Sequence, residues 1–372
     1  MIFKKLGKSK ATVAAIGQGC MGVGGDLARN AMSDQEHVAA LRLGIELGMT
    51  LIDTAEVYGN GHSEELIGQA TRGIRDEVFI ATKFSPENNG CENVLRAAEG
   101  SLQRLQTDQI DLYQVHWPNP AIPISDTMRA LEKLVQDGKV RYIGLSNFSV
   151  AEMRAAAAVT NLNIVSNQVE YNLFDRFIEL GVLPYSQAED MTVIAYSPLD
   201  KGHISARNDL LNEIGKRYGM TPAQIILNWI IHQKNVVTIP KATNLVHVRE
   251  NAAAANFVLD EEDIRQIAKV FSAEPILVPV DDISVSLHGE GKRQVYQTLD
   301  QALRNDLKFV PSPAELAGNI LKGETIKPVR IVPAETGAHQ YDLIEGRIRY
   351  WAWVIAHDGN RPIPSLVRHS RR

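Results

Sequence analysis

The sequence predicts an α/β fold: a closed (β/α)8 barrel followed by a small α+β domain. Three observations carry this. Between about residues 11 and 250, eight short β-rich runs alternate with longer helical patterns. Nearly every run is apolar throughout, as strands buried on both faces of a parallel sheet are. The 372 residues exceed the ~250 of one barrel by about one small domain.

In order, the runs are ATVAAIG from Ala11, TLIDTAE from Thr50, VFIATK from Val78, IDLYQVH from Ile110, YIGLSN from Tyr142, IVSNQVEY from Ile164, TVIAYS from Thr192 and VVTIP from Val236. Amphipathic stretches lie between them, several with a start signal. Ser33-x-x-Glu36 and Ser149-x-x-Glu152 fit the capping box, and Thr221-Pro222-x-Gln224 adds a proline at the first helical position. After Phe271 the rhythm changes. Residues 272–275 (SAEP) read as a linker, and 276–372 as a second domain with Pro-marked strands ILVPV, IKPVRIV and PIPSLV around helices near Leu299–Asn305 and Pro313–Lys322.

Composition excludes several classes of function. With 44% hydrophobic and 22% charged residues the chain can build a core, and its net charge of −5 gives no global attraction to nucleic acid or to an anionic membrane. Cys20 and Cys91 are the only cysteines, too few for a disulfide framework and suited to a reducing compartment. The first residues, MIFKKLGKSKATVAAIG, hold only a short, Gly-broken apolar stretch, and there is no run of ~18 apolar residues. A cytoplasmic protein with neither membrane nor nucleic-acid partners is expected.

A barrel gathers the C-terminal ends of its strands around one mouth. Here those ends carry Asp53 with Tyr58 just beyond, Lys83, His116, Ser146 and Asn147, Gln168, Tyr196 and Ser197, and Lys241. A free tyrosine ionises near ~10, too high for efficient proton transfer near neutrality. An ammonium about 4 Å away favours the phenolate by about 4 kcal/mol before desolvation is counted. Lys83 supplies that charge, Asp53 holds Lys83, and His116 serves a substrate carbonyl by hydrogen bond. The set is an acid–base site without a nucleophile, and its single histidine and carboxylate call for no metal.

These residues, with LIDTAEVYGNGHSEELIGQA from Leu51, IATK and VHWP, resemble the aldo-keto reductase family across residues 1–271. The resemblance implies reduction of aldehydes or ketones by NAD(P)H, with Asp53, Tyr58, Lys83 and His116 as the catalytic tetrad and Tyr58 as general acid. It places Gly19, Cys20 and Met21 near the cofactor, and Ser146, Asn147 and Gln168 on the nicotinamide carboxamide. Tyr196 then stacks on the nicotinamide ring, with Ser197 and Leu199 beyond it. Lys241 falls to the 2′-phosphate, Thr243 and Asn244 to the helix start, and Glu250 with Asn251 to the adenine. His247 stands where many NADPH users have arginine; NADPH is expected, with NADH as the second cofactor. The loop after Ser197 is shorter than the cofactor-covering loop of many relatives. Gly17-x-Gly19-x-x-Gly22 also fits a dinucleotide fingerprint, but VGGDLARNAMSD rather than a helix follows it, so it lacks the phosphate-binding helix start.

The segment YDLIEGRIRYWAWVIAHDGNRPIPSLVR from Tyr341 resembles the ParB N-terminal/sulfiredoxin-like fold. That resemblance implies a phosphate site at Gly346, Arg347 and Arg349, CTP or ATP as ligand, and a regulatory role. Ile348 replaces the partition proteins' second basic residue, and the sulfiredoxin cysteine is absent, so sulfinic-acid repair is not expected. The contending reading of the whole chain is a redox sensor that keeps its cofactor and signals through this domain.

Overall fold

The computed structural model describes residues 1–200, 209–271, 275–285, 296–309, 311–334, 337 and 339–367. The chain forms two compact units, Met1–Phe271 and Ser272–Arg372.

In the first unit, β3 (Gln18–Gly19), β4 (Leu51–Asp53), β5 (Phe79–Phe84), β6 (Ile110–Val115), β7 (Val140–Ser146), β8 (Ile164–Glu170), β9 (Thr192–Tyr196) and β10 (Val236–Thr238) form one parallel sheet in sequence order. The sheet closes on itself. Ile16 bridges Thr238 in parallel, Gly17 N–H donates to the Thr238 carbonyl at 2.8 Å, and Gly19 N–H donates to that of Pro240 at 3.2 Å.

The first run therefore divides in a way its apolar pattern does not announce. Its part β2 (Thr12–Ala14) pairs antiparallel with β1 (Phe3–Lys5), while the barrel takes only β3. The hairpin contributes Leu6, Val13 and Ala14 to an apolar plug with Leu51, Ala81, Leu112, Val165, Ile194 and Val237. Those side chains are nearly all removed from water, each worth about 1.5–3 kcal/mol for the larger ones. At the seam, a Cβ on Gly17 would sit 2.6 Å from the Leu51 carbonyl oxygen, and one on Gly19 2.5 Å from that of Ile239. The first two glycines of the apparent fingerprint are thus needed for strand contact, and the chain stays non-helical until Asp34.

Helices α1 (Asp34–Glu46), α2 (His62–Ala70), α3 (Cys91–Leu105), α4 (Ile124–Gln136), α5 (Val150–Ala157), α6 (Val182–Ala188), α7 (Asp209–Tyr218), α8 (Pro222–His232), α9 (Leu245–Ala253) and α10 (Glu261–Val270) complete this unit. Both hydroxyl and reciprocal carboxyl or carboxamide bonds of a capping box form at Ser149/Glu152 and at Thr221/Gln224. Ser33 starts α1 without a side-chain cap: its ψ of 23° departs from the extended ψ of 168° at Ser149, which aims the hydroxyl at the helix amides.

The second unit is a five-stranded mixed sheet in the order β11 (Ile276–Val278), β15 (Ile363–Val367), β13 (Val329–Pro333), β14 (Tyr341–Glu345), β12 (Ile283–Ser284). Helices α11 (Leu299–Arg304), α12 (Pro313–Leu321) and α13 (Arg347–His357) accompany it. Val329, Ile331, Leu343, Tyr350, Trp351 and Ile363 are central to its core. The Trp351 indole donates to the Tyr296 carbonyl at 2.8 Å. Residues 272–274 of the expected linker and 201–208 of the expected short loop lie outside the described residues.

Candidate active site

Asp53 ends β4, and the backbone beyond it stays beside β5: Thr54 N–H donates to the Ala81 carbonyl and Glu56 N–H to that of Lys83. This leads the chain into a turn that sets Tyr58, only 9% exposed, over the mouth. Lys83, wholly buried on β5, donates to Asp53 Oδ2 and to the Thr54 carbonyl, each at 2.7 Å. Its ammonium is 5.1 Å from the centroid of the Tyr58 ring. His116, just past β6, meets that ring edge-on, centroids 5.8 Å apart at 82°. Four residues from three strand ends and one turn thus form one cluster.

Electrostatics in the cluster correct one expectation. Burial is the largest influence on the Tyr58 phenol and pushes its ionisation up; the Lys83 ammonium pulls the other way without overcoming it. The phenol is held as an acid. For Lys83, burial opposes the charge, but Asp53 and Tyr58 outweigh it and hold the ammonium above its ordinary range. His116 is pushed down to about 3 by burial and by Lys83, so it is neutral near pH 7 and keeps one ring N–H to donate.

A second layer of amides surrounds the carboxylate. Gln168 donates to Asp53 Oδ1 at 2.7 Å and Gln114 to the same oxygen at 3.4 Å. Ser146 donates to the Gln168 carbonyl. Asn147, at a positive φ of 63°, donates to the His116 carbonyl and to Ser146 Oγ, and accepts from the Tyr196 hydroxyl at 3.0 Å. The residues expected around a nicotinamide therefore form one connected network with Asp53 and His116. Residue spacing alone does not single out Gln114; a glutamine inside the apolar run IDLYQVH is its one signal.

The other expected positions lie as follows. Gly19 ends β3, Cys20 is 1% exposed with its thiol pushed up by burial, and Met21 is 61% exposed. Ser197 has a positive φ, and its carbonyl accepts from Asn172; Leu199 is half-buried. Lys241 is exposed, and a Cβ on Gly22 would lie 3.8 Å from its ammonium and 3.2 Å from Asp26 Oδ1. Thr243 is half-buried, and Asn244 caps α9 by accepting from the Val246 amide. His247 Nδ1 is 2.9 Å from Glu250 Oε2, and Asn251 is buried.

In the second unit, Gly346 takes the left-handed conformation (φ 97°) that starts α13. Arg347 is 3% exposed and donates to the Leu343 and Ile344 carbonyls; Arg349 donates to those of Lys327 and Pro328.

Comparison with known proteins identifies the family of the first unit. The aldo/keto reductase family model matches residues 15–271. Methylglyoxal reductase YeaE of Escherichia coli is 39% identical over 267 residues, 70% of this chain and 92% of that protein. Glyoxal reductase of Bacillus subtilis is 37% identical over 235 residues, 62% of this chain and 82% of that protein. A Klebsiella pneumoniae aldo/keto reductase solved with NADP and acetate is 40% identical, with a TM-score of 0.66 over 70% of this chain and 93% of that one. The barrel and the family match over residues 15–271 agree: the chain belongs to the aldo/keto reductase family and is a carbonyl reductase.

Proposed function

We propose that the first unit reduces small aldehydes and ketones, 2-oxoaldehydes such as methylglyoxal and glyoxal foremost, with NADPH as preferred reductant and NADH as the second. The observation that carries this is the Tyr58 phenol kept protonated beside the Lys83–Asp53 pair and a neutral His116. The substrate class rests on the named activities of the two relatives above.

The donor set suits a dinucleotide. Two carboxamides, Asn147 and Gln168, and the Tyr196 phenol stand at one end; Lys241, the amides at the α9 start and the Glu250–Asn251 pair stand at the other. Bound there, NADPH supplies a hydride to the carbonyl carbon. The protein supplies the proton. Tyr58 Oη gives it to the carbonyl oxygen, and Lys83 stabilises the phenolate left behind, as an acid–base group matched to the developing charge must be. Asp53 keeps Lys83 charged and in place, and the neutral His116 N–H orients the carbonyl oxygen.

For the second unit we propose the nucleotide-binding, regulatory role that its ParB-like resemblance implies, with CTP or ATP at Gly346, Arg347 and Arg349. Its support is the order of β14, left-handed glycine and α13. An incoming phosphate must there compete with the carbonyls that both guanidiniums serve.

The decisive experiment mixes the full chain with NADPH or NADH and a panel of aldehydes and ketones, following the reduced cofactor by absorbance. Saturable consumption with methylglyoxal is expected. No turnover of any carbonyl with either cofactor overturns the reading, and tight cofactor binding without turnover selects the redox-sensor alternative. Calorimetric titration with CTP and ATP tests the second unit; no heat from either removes that role.

A further inference from the structure

Gln114 stands two residues before His116 and is wholly buried. Among the described residues its side chain makes one hydrogen bond, from Nε2 to Asp53 Oδ1 at 3.4 Å, while its own carbonyl oxygen has no partner. A buried amide carbonyl left without a donor is destabilising, and an apolar side chain of the same shape avoids that cost. The neighbours show how closely this place is fitted. Gln114, Gly144 and Ser166 stand abreast on β6, β7 and β8. A Cβ on Gly144 would lie 3.1 Å from Gln114 Cγ and 2.4 Å from Ser166 Oγ, so only glycine admits both polar side chains.

Asp53 Oδ1 already has a nearer donor, Gln168 at 2.7 Å. Gln168 is also the residue that the proposed function turns toward the nicotinamide carboxamide. One amide thus has two duties, and Oδ1 of the carboxylate has two donors.

We propose that Gln114 is a positioning residue for proton donation: it holds Asp53 Oδ1 when Gln168 turns to the cofactor, and so keeps the Asp53–Lys83 pair aligned under Tyr58. This deepens the proposed function and rests on it for the second duty of Gln168. The groups acting on Tyr58 are Lys83 from β5, Asp53 from β4, Cys20 beyond β3, and the neutral His116 ring beyond β6. A donor on Asp53 shares its negative charge. Without that donor the carboxylate opposes the phenolate more strongly, so Tyr58 ionises at higher pH and is a weaker acid.

The test compares Gln114→Met and Gln114→Leu with wild type in the full chain; Met keeps the unbranched stem, and Leu serves if Met does not fold. With NADPH and methylglyoxal, kcat is expected to fall about three- to tenfold, below the full effect of a hydrogen bond to a charged group because the bond is long, 3.4 Å, and acts on the phenol only through Asp53 and Lys83. KM and the NADPH Kd stay within about twofold. The alkaline limb of the kcat–pH profile moves to higher pH. A loss carried by KM or Kd, or a kcat loss with an unmoved limb, overturns the proposal.

A ligand-free arm separates it from the functional reading. In a cycle of Gln114→Met, Gln168→Met and the double variant, the double variant's melting temperature falls below the sum of the single changes, because either amide alone serves Asp53. If wild type reduces no carbonyl, the functional reading fails and this cycle still decides the shared-carboxylate part. Additive melting temperatures overturn it.

Discussion

Replacing Lys83 by methionine removes the cation from the proton-donating cluster while keeping an unbranched stem in its place. Taking the 5.1 Å between ammonium and Tyr58 ring centroid as the charge separation and an effective dielectric of about 20, the phenolate formed on proton transfer loses about 3 kcal/mol of stabilisation. At 1.36 kcal/mol per decade, reduction slows by about two orders of magnitude. Because Lys83 also pulls against the upward push of burial on Tyr58, its loss moves the phenol's ionisation, and the alkaline limb of the reduction profile, to higher pH. Folding stability changes in a defined window as well. The folded ammonium ionises above its ordinary value of 10.5, so its stabilisation is full below that pH and is lost as the pH rises through the folded value. Breaking a buried pair costs about 3–5 kcal/mol, and here Gln168 and Gln114 still serve Asp53, so the loss falls toward the lower end. The assay is the pH dependence of NADPH consumption, with cofactor fluorescence as the control for folding. A variant that binds NADPH, turns over within threefold of wild type and keeps its alkaline limb refutes the role of Lys83.

Tyr58→Phe keeps the ring and removes the proton, so carbonyl reduction falls by about two to four orders of magnitude while NADPH still binds, as stopped assays and fluorescence titration measure. Lys241→Ala weakens NADPH more than NADH, measured by titrating both cofactors against both proteins; equal losses place the 2′-phosphate elsewhere. His116, neutral in the fold and pushed down to about 3, contributes stability that is present above its unfolded value of 6.5 and is lost as the pH falls toward 3. Melting temperature therefore drops across that window, and His116→Gln makes the drop shallower. Thr221→Ala removes the hydroxyl half of a capping box and costs about 1 kcal/mol in denaturant unfolding.

The barrel and its mouth were legible because both obey rules written in residue order. Apolar runs pack between layers, and strand ends face one way, so Asp53, Lys83 and His116 are brought together by position alone. Helix starts were legible where the preceding residue is extended, as at Ser149 and Thr221, but not at Ser33, whose backbone turns the hydroxyl away. The division of ATVAAIG between hairpin and barrel was hidden because both parts are equally apolar, and the decision falls to contacts with distant Leu51 and Ile239. The direction of the Tyr58 shift was hidden for a related reason: it balances burial against charge, and burial is created by the whole fold. The bond from Gln168 to Asp53 joins strands far apart in the chain, and no local spacing announces it.

The seam between residues 15–19 and 238–240 has a consequence for the order of events during synthesis. A strand of two residues gives little local bonding, and its partner is among the last barrel strands to be made. The loop it closes is nearly the whole unit, which makes closure a late, high-contact-order step. A nascent chain stopped before Val236 holds the whole tetrad in sequence yet cannot bond β3 to its partner, leaving an open sheet edge next to the strand that carries Asp53. Carbonyl reduction therefore begins only after the chain beyond Pro240 has been released to zip that edge shut. The amides of Gly17, Gly19 and Thr238 bond across that edge, so their hydrogen exchange is the measurement that reports its reopening in the finished barrel.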